Sequence, residues 1–312
     1  MRKWWFHILI LFSLPSSAQE VKERDSLSFQ KNYTARKWLI GGSSALGYGT
    51  SVYLFNKAWY KDYPRTSFHT YNDAGEWKQM DKIGHAWATY NTSKVVTAMW
   101  QWAGVNRKTA VLLGTGSSLL YMTSIEYLDG LSADWGWSWP DMGMNVFGAA
   151  LFAAQELGWK EQKISLKFSS HIKNYSDPAL ELRANELFGK SWPERILKDY
   201  NAQTYWLSFN LNALTQNKGI PAWLNLAIGH GADGMFGGYE NIAYDDDGNL
   251  VFDRRDIIRN RQWYLAPDID LTKIKTNSRF LRTAFYVLNV FKFPAPSVEY
   301  SQNKIRFNWI SF

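Results

Sequence analysis

PDMGMNVFGAALFAAQELGWKEQKISLKFSSHI, Pro140 to Ile172, changes its periodicity midway, and this change decides the fold. Up to Trp159 it reads as one helix of about twenty residues; from Lys163 the segment KISLKFSSHI alternates like a strand. Upstream, Lys82–Val105 and Lys108–Leu128 are two further helices of similar length, and Lys37–Tyr60 is a glycine- and serine-rich apolar helix with small-residue contacts at Gly41, Gly42, Ala45 and Gly49. A glycine-rich strand is the competing reading of that first segment, and residues 19–33 form a polar lead-in. Polar residues such as Asn91, Ser93, Lys94, Ser117 and Gln155 interrupt the apolar runs, leaving only a marginal membrane-spanning signal.

Downstream, the pattern is that of strands. In TYWLSFNLNALT, Tyr205, Leu207, Phe209 and Leu211 share one face while Trp206, Ser208, Asn210 and Asn212 share the other. Further strands are expected at Trp223–Ile228, Met235–Ala243, Arg261–Leu271, Ser297–Ser301 and Lys304–Phe312, with a hairpin turn at Asp247–Gly248. Residues 178–199 are helical or irregular, and Ser278–Phe291 is an amphipathic helix with apolar residues at 281, 284, 285 and 288. The fold class is therefore α+β: an N-terminal bundle of about four apolar helices over residues 34–160, then a mainly antiparallel β half over 161–312 with one or two helices. Whether its sheet closes into a barrel is left open, since Arg306 and Asn308 interrupt the apolar face that a lipid-facing last strand needs.

Residues 1–18 have the pattern of a secretory signal peptide: Arg2 and Lys3, an apolar run from Trp4 to Leu14, then Ser16 and Ala18 before Gln19. The chain contains no cysteine, which excludes disulfides, thiolate metal sites, a cysteine nucleophile and a lipid-modified N-terminal cysteine. The net charge of +7 is scattered, without the basic runs and interleaved aromatics of a nucleic-acid surface, so nucleic acid is not an expected partner. Aromatic residues make up 17% of the chain, 17 Trp, 17 Tyr and 18 Phe. Side chains that are apolar at one end and polar at the other suit a membrane interface, and a large aromatic core is the alternative.

Three doublets put two polar groups on one helix face inside apolar segments: Asp81 and His85, Glu126 and Asp129, Asp141 and Asn145. Buried carboxylates are costly unless paired, hydrogen-bonded or metal-bound, so the doublets are expected to converge. One reading is an internal network with Lys82 or His85 as cationic partner and Asp81 or Asp141 capping helices. The other is a metal or acid–base site built from His85, Glu126, Asp129 and Asp141. His7, His69, His171 and His230 lie in no spacing that adds to it, and the chain has no G-x-S-x-G, H-E-x-x-H or phosphate-cradling loop. GHGADGMFGG (229–238) reads as a bend between strands, and no cofactor is expected.

The motif order DKIGHAW, IEYLDG, GWSWPDMGMNVFG resembles the YfiM-type periplasmic lipoproteins, over about residues 80–159, and more distantly the VanZ-like helical membrane proteins. The resemblance implies an envelope location and a helical arrangement, since these families have no settled activity, and it points to Asp81, Lys82, His85, Glu126, Asp129, Asp141, Asn145 and Gly148. The lack of cysteine departs from the lipoprotein pattern, and the β-rich half is an addition to it. The functional expectation is an exported, outer-membrane-associated envelope protein in contact with lipid; its protein partner is not specified. The alternative is an envelope enzyme acting on a lipid or cell-wall precursor through the polar cluster.

Overall fold

The computed structural model describes residues 26–56, 64–245 and 247–311, so the signal-peptide segment lies outside the described residues. Four helices lead: α1 Ser26–Phe55, α2 Met80–Trp102, α3 Arg107–Asp129 and α4 Trp139–Gly158. The first begins inside the stretch expected to be a lead-in. Local chemistry sets the other starts: Asn106 accepts from the Thr109 amide at the head of α3, and Ser138 accepts from the Asp141 amide at the head of α4, with Pro140 in its first turn. No helix of the described residues is long and apolar enough to cross a membrane.

Helix α2 lies between α3 and α4, and small residues set the spacing. A Cβ on Gly148 would stand 2.2 Å from the Ala86 carbonyl oxygen, and one on Gly114 would stand 2.1 Å from Thr97 Oγ1. Neither helix could keep its position with a larger residue there.

The remaining strands and helices are β1 Ile164–Ser170, α5 Pro178–Phe188, α6 Trp192–Lys198, β2 Gln203–Asn210, α7 Leu211–Thr215, β3 Leu224–Asp233, β4 Ile242–Tyr244, β5 Leu250–Asp253, β6 Asn260–Ile269, α8 Arg279–Leu288, β7 Ala295–Ser301 and β8 Lys304–Ser311. Six strands form one antiparallel sheet in the order β1-β2-β3-β6-β7-β8, and β4-β5 is a separate hairpin closed around Gly248. The sheet does not close into a barrel: β1 meets only the short segment 290–292 along its other edge, through Phe168 N to Val290 O and Lys292 N to Phe168 O.

Several expectations are corrected. Met235–Asn241 is irregular, because Asn241 satisfies its own loop, accepting from Phe236 N and donating to Gly234 O. Strand β3 instead runs on through Gly229, His230 and Gly231, since a Cβ on Gly229 would stand 2.7 Å from the Trp206 indole. Leu211 and Asn212 leave the strand for α7, which Asn210 caps. The second half carries four helices, because Gly189, at φ 83°, divides residues 178–199 into α5 and α6.

The register generates two faces of opposite character. Leu166, Leu207, Ile228, Leu265, Val298 and Phe307 form one row across all six strands; the next row, Lys167, Trp206, Gly229, Tyr264, Glu299 and Arg306, points the other way. Helix α2 covers the apolar face over β1 and β2: Leu166 packs with Ala86, Tyr90, Val111 and Phe152, and Phe168 and Tyr205 pack with Met80 and Met235. Over β6, β7, β8 and the Leu226–Ile228 part of β3 the same face is exposed, with Ile305 at 75% and Trp309 at 77%, while His230 and Ala232 further along β3 are buried. Arg306 and Asn308 turn inward toward Glu299, so they do not break the apolar face of β8.

The polar face is the buried one. Lys167 Nζ lies 2.7 Å from Asp268 Oδ2, Ser208 Oγ donates to the same oxygen, and the Lys292 ammonium stands over the Trp206 ring at 4.4 Å. Among the described residues, buried polar side chains outnumber buried apolar ones, the reverse of an ordinary soluble core.

Gly148→Ala should force α4 off α2 and cost about 1–3 kcal/mol of stability. Thermal unfolding reads this as a lowered midpoint, and an unchanged midpoint would refute the close α2–α4 contact.

Candidate functional site

At the N-terminal end of α2 the chain takes an unusual turn: Trp77, Lys78 and Gln79 are all left-handed, at φ 47°, 53° and 68°. Three consecutive non-glycine residues in that region are strained, and tertiary bonds hold them. The Trp77 amide donates to Gly238 O, and His230 Nε2 lies 3.3 Å from Lys78 O. This turn delivers Asp73 and Glu76 to the start of α2, beside Asp81 and Lys82.

The Lys82 ammonium is buried among three carboxylates, 2.5 Å from Asp73 Oδ2, 3.1 Å from Asp81 Oδ2 and 2.9 Å from Asp141 Oδ1. Ser138 Oγ donates to the other Asp73 oxygen at 2.6 Å, so the residue that caps α4 also ties the preceding loop to it. Tyr200, from the β half, donates to Asp81 Oδ1 at 2.9 Å. One turn further along α2, His85 presents Nε2 to Asp81 Oδ1 at 3.8 Å and Asp141 Oδ2 at 4.0 Å. Its Nδ1 lies 3.2 Å from Asn145 Oδ1 and 3.4 Å from Glu126 Oε1. Glu126 Oε2 accepts the Ser138 amide, and Thr89 Oγ1 donates to Asn145 Oδ1.

The structure thus places Asp81, Lys82, His85, Glu126, Asp141 and Asn145 around one spot. Asp129 is half-buried, and its charge acts on Glu126. Gly148 serves the site by letting α4 approach α2. Asp73, Ser138, Thr89 and Tyr200 were not singled out in the sequence. Ser138 carried a usable signal, a serine just ahead of a Trp-Pro helix start. Tyr200 had none, because it arrives from 119 residues away.

The electrostatics follow from this crowding. Burial pushes Glu126 up to about 8 against the pull of His85, and burial together with Asp81 pushes Asp141 up to about 7. Burial disfavours the charged forms of Lys82 and His85, yet the surrounding carboxylates outweigh it and hold both above their ordinary values. Asp81 goes the other way: burial opposes its ionisation, but the charges of His85 and Lys82 keep it low. The cluster can therefore store protons near neutral pH, and Asp81, His85 and Asp141 bring ligand atoms within 4.8 Å of one another, close enough to hold a cation.

Residues 68–155 match a family described as predicted periplasmic lipoprotein (DUF2279). The match covers somewhat over a quarter of the chain and includes every helical member of the cluster; Tyr200 lies beyond it. The family's description agrees with an exported, periplasm-facing protein. No curated protein and no solved structure matched the chain.

Two outcomes are expected. Lys82→Met leaves the carboxylates of Asp73, Asp81 and Asp141 without their shared ammonium, and removal of one partner from a buried pair costs about 3–5 kcal/mol, seen as a sharply lowered unfolding midpoint. A midpoint within about a degree of wild type contradicts this. Second, Glu126, Asp141 and His85 all have raised values in the folded state, so the stability they contribute is present below their unfolded values and is lost as pH rises through the folded ones. Unfolding midpoints should fall between about pH 6 and pH 9; a rise over that window contradicts the assignment.

Proposed function

We propose that this chain is an exported envelope protein that seats the exposed face of its sheet against the outer membrane, in a structural or lipid-contact role. The observation that carries the reading is the row Ile228, Leu265, Val298 and Phe307, flanked by Ile305, Trp263, Tyr300 and Trp309, continuous across four strands and open to solvent. An apolar face of this extent on a soluble monomer is unfavourable, and alternation of apolar outer with polar inner residues is the pattern of sheets that meet lipid. Trp and Tyr within the row suit the depth of headgroups. Helix α8 presents a second apolar surface, exposing Phe280, Leu281, Val287 and Leu288 beside Arg279 and Arg282, as interfacial helices do.

A second reading, an envelope enzyme acting on a lipid or cell-wall precursor, is favoured by one observation. Asp81 and His85 keep solvent contact, with side chains 27% and 14% exposed, so the polar cluster has an open side from which a substrate could be reached.

The first reading is tested by flotation with phospholipid vesicles. Wild-type protein should float with them, and Phe307→Glu or Trp309→Glu, both on the edge strand β8, should leave most of the protein in the soluble fraction while folding normally by circular dichroism. Wild type that stays at the bottom of the gradient, or charged variants that float unchanged, would rule the reading out.

A further inference from the structure

We propose that the cluster at the base of α2 is a divalent-cation site, with Asp81 Oδ1, His85 Nε2 and Asp141 Oδ2 as protein ligands and Glu126 as the residue that orients His85. This inference depends on neither functional reading.

Its first support is the orientation of the imidazole. On the Nδ1 side stand two oxygens, Asn145 Oδ1 at 3.2 Å and Glu126 Oε1 at 3.4 Å. Both are acceptors, so the ring proton belongs on Nδ1. Nε2 then aims its lone pair at Asp81 Oδ1 and Asp141 Oδ2, 3.8 and 4.0 Å away. Three electron-rich atoms then face one another; the Lys82 ammonium meets Asp141 Oδ2 and the Tyr200 hydroxyl meets Asp81 Oδ1, but neither donor reaches Nε2. What remains of the repulsion at Nε2 is relieved by a proton there or by a metal ion. A carboxylate that receives Nδ1–H while Nε2 faces outward is the usual arrangement behind a metal-bound histidine.

The second support is the gap itself. The three ligand atoms lie within 4.8 Å of one another. An ion equidistant from them sits roughly 2.3–2.5 Å from each, and a small inward movement of the side chains gives the roughly 2.0–2.2 Å of a nitrogen- and oxygen-bound transition ion. Lys82 does not occupy this place. Its ammonium bonds Asp81 through Oδ2 and reaches both Asp141 oxygens at 2.9 Å, and Tyr200 donates to Asp81 Oδ1, so an ion facing His85 Nε2 shares each carboxylate oxygen with that donor through the oxygen's second lone pair.

The third support is charge and unmet bonding. Asp73, Asp81, Glu126 and Asp141 confront one lysine and one histidine. Glu126 is 1% exposed, and its Oε1 has no contact other than His85 Nδ1 at 3.4 Å; the buried Asn145 Nδ2 has no hydrogen-bond partner. The donor set of one imidazole and two carboxylates suits Zn²⁺ or Mn²⁺ over Ca²⁺ or Mg²⁺, which favour all-oxygen shells. Asp81, the most exposed ligand, lies at the open side where an ion and its remaining waters enter.

The test uses the full chain, solubilised in detergent, stripped with EDTA and titrated with ZnCl₂ or MnCl₂. Expected are about one ion per chain by elemental analysis after gel filtration and a raised unfolding midpoint, since the ion binds only the folded cluster. His85→Gln and Asp81→Asn should abolish the stoichiometric ion, and Glu126→Gln should weaken binding about 10- to 100-fold, the range for a residue that orients a ligand. His171→Gln, just after β1 and outside the cluster, should bind as wild type does. Asp81→Asn guards against failure of the His85 variant to fold, because Asp81 is partly exposed. Wild type that retains no ion and shows no midpoint shift with either metal overturns the proposal, as does binding that persists undiminished in both ligand variants.

Discussion

The buried polar groups of this protein are shut away from water and depend on one another for partners. That constraint governs the helices and the sheet alike. In a soluble domain the interior is assembled by removing apolar surface from water, and polar residues remain free to be solvated. Here Lys82, Glu126, Asp141 and Asn145 are enclosed by α2, α3 and α4, and Lys167, Ser208, Asn225 and Asp268 are enclosed by the sheet. Each polar interior holds together by charge pairing and hydrogen bonds, whose strength rises as water is excluded and whose loss is correspondingly severe.

Helix α2 joins the two interiors. Its N-terminal turns supply Asp81, Lys82 and His85 to the cluster; its middle turns stitch it to β1, where Asn91 Nδ2 donates to Leu166 O and Tyr90 OH to Ile164 O. Gln155 of α4 reinforces the same seam by donating to Ile164 O and accepting from the Ile164 and Lys163 amides. Further along, Lys94 is buried under the Tyr286 ring at 4.6 Å, and Tyr286 OH donates to Lys94 O, which fastens α8 to the helical layer. Burial holds Lys94 down to about 8. The α2 face that the sequence shows as apolar with polar interruptions is therefore a contact surface in which the interruptions make the specific bonds.

Much of this was readable in advance. The 3.6-residue and two-residue periods locate α2, α3, α4, β1, β2, β6 and β7 because their faces differ in character, and that difference is what periodicity records; β1 and β2 are buried on both faces, apolar residues on one and mostly polar residues on the other. The doublets at 81 and 85 and at 141 and 145 were legible for the same reason: helix geometry alone makes those residues neighbours. Contacts made across long separations were not. Tyr200 reaches Asp81 and Asp73 reaches Lys82 through the left-handed turn at 77–79, for which no glycine or proline gives notice. The inward turn of Arg306 and Asn308 was misread because a charged residue on an edge strand looks solvent-directed until its partner, Glu299 on β7, is known. The glycines at 229 and 231 suggested a bend, but Gly229 makes room for the Trp206 indole inside a regular strand.

If the outer face of β3, β6, β7 and β8 meets lipid, the opposite, polar face should not. A phospholipid carrying a photoactivatable group in its acyl chain, incorporated with the protein into vesicles and cross-linked by light, reports this directly when the adducts are mapped by peptide mass spectrometry. Adducts should concentrate on Leu265, Val298, Ile305, Phe307 and Trp309, with Phe280 and Leu288 of α8, and be lacking on Tyr264, Glu299 and Asn308 from the inner face. Adducts spread equally over both faces, or confined to α5 and α6, would contradict it.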